Sequence, residues 1–258
     1  MLRIPNIRYD RIIWVMFLLV VGLLLYSAIG KRKNSFAEGI EVEVKPLESG
    51  DKLISERDVR QALLRSFGNT LEGTEVAQLE VERMERVLEE DPFVFNAETY
   101  MDQHNIFHVK VEQREPILRI LDNNGANYYL DKNGVKMPPS KNFAARVVVA
   151  TGNIAPYQED FRKRKKRNTL KDLFALTETL MADEFLSVFI QQIHVTNTGD
   201  FVLVPLIGDQ NIVLGSVRRV EDKLRRLKVF YQEGMPYAGW RKYESINLKY
   251  NGQVVCKR

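Results

Sequence analysis

Apolar and polar positions divide the chain into three regimes. Residues 12–29 read IIWVMFLLVVGLLLYSAI and carry no charge. As a helix they would span roughly 27 Å at ~1.5 Å per residue, close to the ~30 Å of a hydrocarbon core. The run has no polar face, so it predicts a retained single-pass transmembrane helix rather than a helix of a soluble core. A cleaved signal peptide needs an apolar core of about 7–15 residues and small residues at the cut. Here the run is longer, and Ala28 and Gly30 are followed at once by Lys31, Arg32 and Lys33. Arg3, Arg8 and Arg11 balance those three cations across the run, so charge alone does not orient it. The short head, residues 1–11, and the long tail favour a cytoplasmic N-terminus with the tail exported, because long domains translocate largely regardless of charge.

Beyond the polar linker 34–39, the second regime is periodic. Ile40, Val42 and Val44 alternate as a strand that stops at Pro46. Ser55-Glu56-Arg57-Asp58 matches a capping box, and Val59, Ala62, Leu63 and Phe67 follow at helical spacing. A second helix is expected over residues 77–91, with Val81, Met84, Val87 and Leu88 as its stripe and Glu82 and Arg86 as an i,i+4 ion pair. Pro92 ends it. Residues 93–101 and 106–111 read as strands, joined by a hairpin loop at Asp102-Gln103-His104-Asn105.

The third regime is rich in short strands. Residues 118–121 are expected to form one, ending at Asp122-Asn123-Asn124-Gly125. Residues 128–135 form a strand, an Asn133-Gly134 turn and a restart, and residues 147–150 a buried strand before Thr151-Gly152. Leu170, Leu173, Phe174, Thr177, Leu180 and Met181 mark a helix. Strands at 190–195 and 201–205 flank a turn at 197–200, and another strand covers 211–214. Val220, Leu224, Leu227 and Tyr231 mark a last helix, expected to break at Gly234 and Pro236. Strands at 243–250 and 253–257 close the chain, with Ile246, Leu248 and Tyr250 alternating.

Charge reinforces this division. The total of +4 hides a segment 38–115 with 19 acidic and 9 basic residues, followed by a segment 116–258 with 14 acidic and 23 basic. A boundary near Glu115-Pro116 follows. The lone Cys256 allows no internal disulfide.

No active site is legible. His104, His108 and Glu112 are four apart, which would stack them on a helix and could hold a metal. They fall instead on a strand and its turn, so they are read as hairpin residues. Ser49-Gly50-Asp51-Lys52 has the S-x-x-K form of penicillin-binding enzymes, which requires a helix start and a K-T-G strand; Ser49 lies near Pro46 in a turn, and Ala150 precedes Thr151-Gly152. Cys256, with no histidine partner, is an ordinary strand residue. Residues 162–167 are six consecutive cations. They are read as a solvated loop, with contact to an acidic partner or to lipid headgroups as the functional alternative. Nucleic acid is not expected. The sharper candidate is the C-terminus: an exposed edge at 243–250 or 253–257 could accept another chain's strand.

Several landmarks together resemble the FtsQ/DivIB cell-division family. The order β-α-α-β-β over residues 38–115 is similar to the polypeptide-transport-associated (POTRA) module. Val109 to Ile117, reading VKVEQREPI, resembles the family's E-x-R-x-P-I ending. Leu53 to Val59 resembles its helix-opening motif, and Asp91-Pro92-Phe93-Val94 its strand junction. Tyr129, Asp131 and Gly134 resemble a Y-x-D-x-x-G landmark, and Thr151-Gly152 its T-G. Lys223-Leu224, Phe230-Tyr231 and Ile246-Asn247-Leu248-Lys249-Tyr250 are similar to its late run. The sequence departs from the family in its short head and in lacking a long polar C-terminal tail.

The resemblance implies an α+β protein: cytoplasmic residues 1–11, a transmembrane helix 12–29, a POTRA domain 38–115 and a mixed, mainly antiparallel β-domain with helices over 116–258. It implies a non-enzymatic divisome scaffold without cofactor or metal, in the inner membrane of a Gram-negative bacterium of the Bacteroidetes type, with its domains in the periplasm at the septum. Its implied partners are FtsB-like and FtsL-like proteins, with other divisome proteins on the POTRA domain. Lys249, Tyr250 and Gly252 fall on the family's contact positions, and the implied partner-binding segment is Leu248, Lys249, Tyr250, Asn251, Gly252, Gln253 and Val254. The alternatives are another POTRA-bearing scaffold of envelope assembly or secretion, and a peptidoglycan enzyme.

Overall fold

The computed structural model describes residues 14–24, 36–68, 72–75, 79–240 and 242–258. Residues 14–24 are helical, and nearly all of their apolar side chains are exposed. No helix among the described residues is long and apolar enough to cross a membrane. The expected span 12–29 extends past this stretch at both ends, so its remainder lies outside the described residues, as do the head 1–11 and the tie between flanking cations.

The chain forms two compact units, residues 1–45 with 54–112 and residues 46–53 with 113–258. The first is built on a three-stranded sheet of β1 (Gly39–Lys45), β2 (Val94–Met101) and β3 (Ile106–Gln113) in the order β1-β3-β2. β1 runs parallel to β3, pairing Val42 with Val109. Helices α1 (Glu56–Phe67) and α2 (Val81–Glu89) supply Val59, Leu63, Met84 and Leu88 to one core with Val44, Phe107, Val109 and Val111. The capping box forms as expected: the Asp58 amide donates to Ser55 Oγ and the Ser55 amide to Asp58 Oδ2. The second helix is shorter than its periodicity suggested, starting at Val81 without a side-chain cap. Arg86 Nε donates to the main-chain carbonyl of Glu82, not to the expected carboxylate partner.

The second unit carries a nine-stranded sheet. Its strands are β4 (Pro116–Asp122), β5 (Asn127–Asp131), β6 (Lys136–Met137), β7 (Val148–Gly152), β8 (Ile190–Val195), β9 (Phe201–Pro205), β10 (Asn211–Gly215), β11 (Ser245–Asn247) and β12 (Val255–Lys257). Their order is β12-β11-β10-β9-β8-β7-β4-β5-β6. The neighbours β4–β7, β7–β8 and β10–β11 are parallel and the other pairs antiparallel. Helices α3 (Thr169–Met181), α4 (Glu184–Phe189) and α5 (Val220–Val229) cover one face; Leu170, Leu173, Leu180, Leu224 and Leu227 share a core with Leu118, Ala150, Ile193, Leu203 and Ile246. The short α4 has no long periodic stripe, and the Asp183 side chain caps it.

The last helix does not break at Gly234. It widens into a π-turn, Phe230–Gly234, and continues as α6 (Met235–Ala238), with Pro236 in the first turn of that piece. The wider π-turn just before it opens the backbone ladder where proline has no N–H to donate, so the helix passes through it.

Candidate partner-binding site

β10 and β11 are parallel neighbours. Parallel strands need a crossover, and α5, the π-turn and α6 provide it. This places a helix beside the last strands of the sheet. Lys223 fixes that helix to β10: its buried ammonium donates to the carbonyls of Leu214 and Ser216, both at 2.8 Å. Burial lowers its pKa from the ordinary lysine value.

The end of the chain differs from expectation. Residues 243–250 do not form one strand; β11 has three residues, and residues 248–254 turn into β12. Leu248 is fully buried, and its amide donates to the Val213 carbonyl at 2.9 Å. It is a core residue rather than a contact residue, inward with Ile246 as the alternation predicts; beyond it the alternation ends, with Tyr250 exposed, as the Asn247 Oδ1 accepts the Lys249 amide and the chain turns. Lys249, Tyr250, Asn251, Gly252 and Gln253 are exposed and Val254 half-buried. Lys249 Nζ pairs with Asp200 at 2.9 Å, which raises the lysine pKa. Gly252 takes φ +69°, a left-handed geometry that favours glycine.

Arg226 holds this turn from beneath. Its guanidinium donates to the main-chain carbonyls of Tyr250, at 3.2 Å, of Gln253 and of Leu248. Its Nε donates to Asp222. The Arg225 guanidinium also bonds Asp222, and together the two hold that carboxyl below its usual range. Between helix and turn lies an open groove of about 490 Å³, walled by Arg225, Val229, Phe230 and Glu233 on one side and Gly252 and Val254 on the other. Val229 is exposed on its floor. β12 ends the sheet among the described residues, with Val255 exposed and the Cys256 thiol pushed up in pKa by burial. The arrangement sets Val229, Phe230 and Val254 beside the charges of Arg225, Arg226 and Glu233, next to a strand edge.

The helix wall was missed in the sequence. Arg225, Arg226 and Val229 fall between the core positions Leu224, Leu227 and Tyr231, and that spacing was the available signal for an exposed helix face.

The other sequence candidates separate. His108 lies on β3, stacked on Tyr100 at 5.0 Å, with Nε2 3.2 Å from Asp102 and Nδ1 3.3 Å from Glu41. It is more enclosed than an ordinary hairpin residue. Glu112 pairs with Lys45 at 3.1 Å, so His104, His108 and Glu112 do not converge. No metal-holding group of histidine, cysteine and carboxylates occurs among the described residues. Ser49 sits in a turn closed by the Gly50 amide on the Leu47 carbonyl, not at a helix start. A wider cleft of about 600 Å³ in the second unit is lined by Leu47, Ile117, Val148 and Val188 among others, with Glu115 raised in pKa by burial.

A family model described as FtsQ/DivIB, C-terminal related, matches residues 115–257, and a POTRA-like domain model matches residues 35–112. The chain belongs to the FtsQ/DivIB family. No curated protein matches it significantly. Membership of this family suggests a division-related scaffold.

Proposed function

We propose that this FtsQ/DivIB protein is a single-pass scaffold of the division apparatus. In this reading residues 12–29 span the inner membrane with residues 1–11 in the cytoplasm. The POTRA domain (38–115) and the β-domain (116–258) lie in the periplasm at the septum. The β12 edge, the exposed turn residues Lys249 to Val254 and the α5 groove bind an FtsB-like partner that travels with an FtsL-like protein. Other divisome proteins dock on the POTRA domain. The observation that carries this reading is the juxtaposition of an end strand with an apolar groove rimmed by Arg225. A partner can add main-chain hydrogen bonds along the edge and set an apolar side chain with a nearby carboxylate into the groove. Binding is stoichiometric, with no covalent step.

The test is co-purification of the full chain with the FtsB-like protein encoded in the same genome. Tyr250→Lys alters an exposed position and should cut recovery at least tenfold while the circular dichroism spectrum is unchanged. Undiminished recovery would remove this site from the reading. Leu248 is unsuitable for this test, since its loss would disturb the core. Depletion should give filamentous cells. A diffuse envelope signal from a fluorescent fusion would favour envelope assembly instead, and β-lactam labelling lost in Ser49→Ala would favour an enzyme.

A further inference from the structure

The loop before α3 sorts its cations by residue type. Its three arginines are used internally. Arg162 donates to the Lys132 carbonyl, pairs with Glu178 at 3.2 Å and lies over the Phe174 ring at 4.7 Å. Arg164 pairs with Asp160 at 2.9 Å and Arg167 with Asp172 at 2.8 Å. Phe161 is buried beside them, close against Gly134. Arg162 and the buried Phe161 pin the loop to the β-domain, Arg167 ties it to the first turn of α3, and the Arg164 pair closes within the loop. Lys163, Lys165 and Lys166 are exposed as well; the loop's other exposed charges are Glu159 and the residues of those pairs, Asp160 and the three arginines.

We propose that these three lysines form a docking surface for anionic lipid headgroups. The division of labour favours lipid over protein. Protein interfaces are enriched in arginine and aromatic anchors and depleted in lysine, and here each of the loop's arginines is already paired with a carboxylate of its own domain and its aromatic ring is buried. A lysine ammonium is a compact, hydrated point charge on a flexible stem. It suits a diffuse layer of phosphates, which needs no pocket. The charge is complementary, and an uncharged apolar run at 12–29 gives the chain a bilayer to work beside. Attraction to an anionic surface grows with each lysine near it, and three together strengthen local association roughly 100-fold at physiological salt. The proposal goes beyond partner binding and rests on the membrane-anchored reading of residues 12–29.

The experiment uses the full chain reconstituted in liposomes of phosphatidylcholine alone or with 30% phosphatidylglycerol. Acylation of lysines by a water-soluble ester is followed by mass spectrometry. Acylation of Lys163, Lys165 and Lys166 should slow at least fivefold in the phosphatidylglycerol liposomes and recover in ~0.5 M salt, while Lys52 and Lys257 keep the same rate in both. The variant carrying Lys163→Gln, Lys165→Gln and Lys166→Gln reports through circular dichroism that the arginine-pinned loop still folds. In this variant, phosphatidylglycerol should no longer slow acylation of the neighbouring Lys171. Equal rates in both liposomes would overturn the proposal, as would protection that arises only on adding an acidic protein. Failure of the chain to float with neutral liposomes would instead overturn the anchored reading.

Discussion

Arg226 places one guanidinium among three main-chain carbonyls and a carboxylate. Truncating it leaves those carbonyls in the β11–β12 turn without their charged donor. Hydrogen bonds to charged groups contribute about 1.5–3 kcal/mol each, less where water can replace them. Arg226→Ala should therefore loosen the turn by roughly 1–3 kcal/mol, seen as faster amide exchange over residues 249–254, with α3 and β7 unaffected. Arg226→Lys should rescue little of it, because an ammonium cannot reach the carbonyls in a planar fork. A second residue-scale prediction concerns acid. The Ile106 amide is the main reason Asp102 is held at about 2 rather than 3.8, with His108 and the His104 amide adding to it. A depressed carboxylate stabilises the fold above its unfolded value and loses that contribution as pH falls through the folded value. The β2–β3 hairpin should thus weaken between about pH 4 and 2, and Asp102→Asn should flatten that part of an acid titration followed by amide exchange. The hairpin loop was legible in the sequence, since an Asx residue before a tight turn has a local signature. Arg226 was not, because its main-chain acceptors lie more than twenty residues away.

At the scale of elements, local chemistry and sheet packing divide the work. The Ser55 capping box formed as read, because both partners lie within one turn. Ser55→Ala should cost about 1 kcal/mol, measurable as a fall in urea midpoint with an unchanged m-value. Gly152 is set by packing as well as by backbone: at φ +98° an added Cβ would sit 2.1 Å from the Val195 carbonyl oxygen. Gly152→Ala should lower the melting temperature more than Ser55→Ala, because main chain on both strands would have to separate. The helix after Val220 shows where a local rule fails. Gly234 and Pro236 read as a stop, yet Tyr231 and Met235 are both buried in the core, and the π-turn keeps both side chains inward while the chain absorbs the extra residue.

At the scale of the molecule, the β10–β11 crossover creates the candidate site. It brings residues 225–234 next to residues 252–254. Leu248→Ala, at a fully buried position, should cost about 2–5 kcal/mol. The exchange protection lost should be confined to the second unit, with Val109 and Val111 of the first still protected; loss in both would contradict the two-unit organisation. The sequence by itself determined nearly every strand and helix, the cap at Ser55, the turns at Gly134 and Gly199, and the resemblance that the family match bears out. These rest on periodicity and short-range hydrogen bonding, which act over a few residues. Only the tertiary structure decided that Leu248 belongs to the core and not to the contact segment, that β11 stops after three residues, that Arg226 clasps the turn, and that each arginine of residues 162–167 pairs with a carboxylate. Each of these depends on which strands become neighbours, and neighbour choice is set by burial of the whole core rather than by any local pattern.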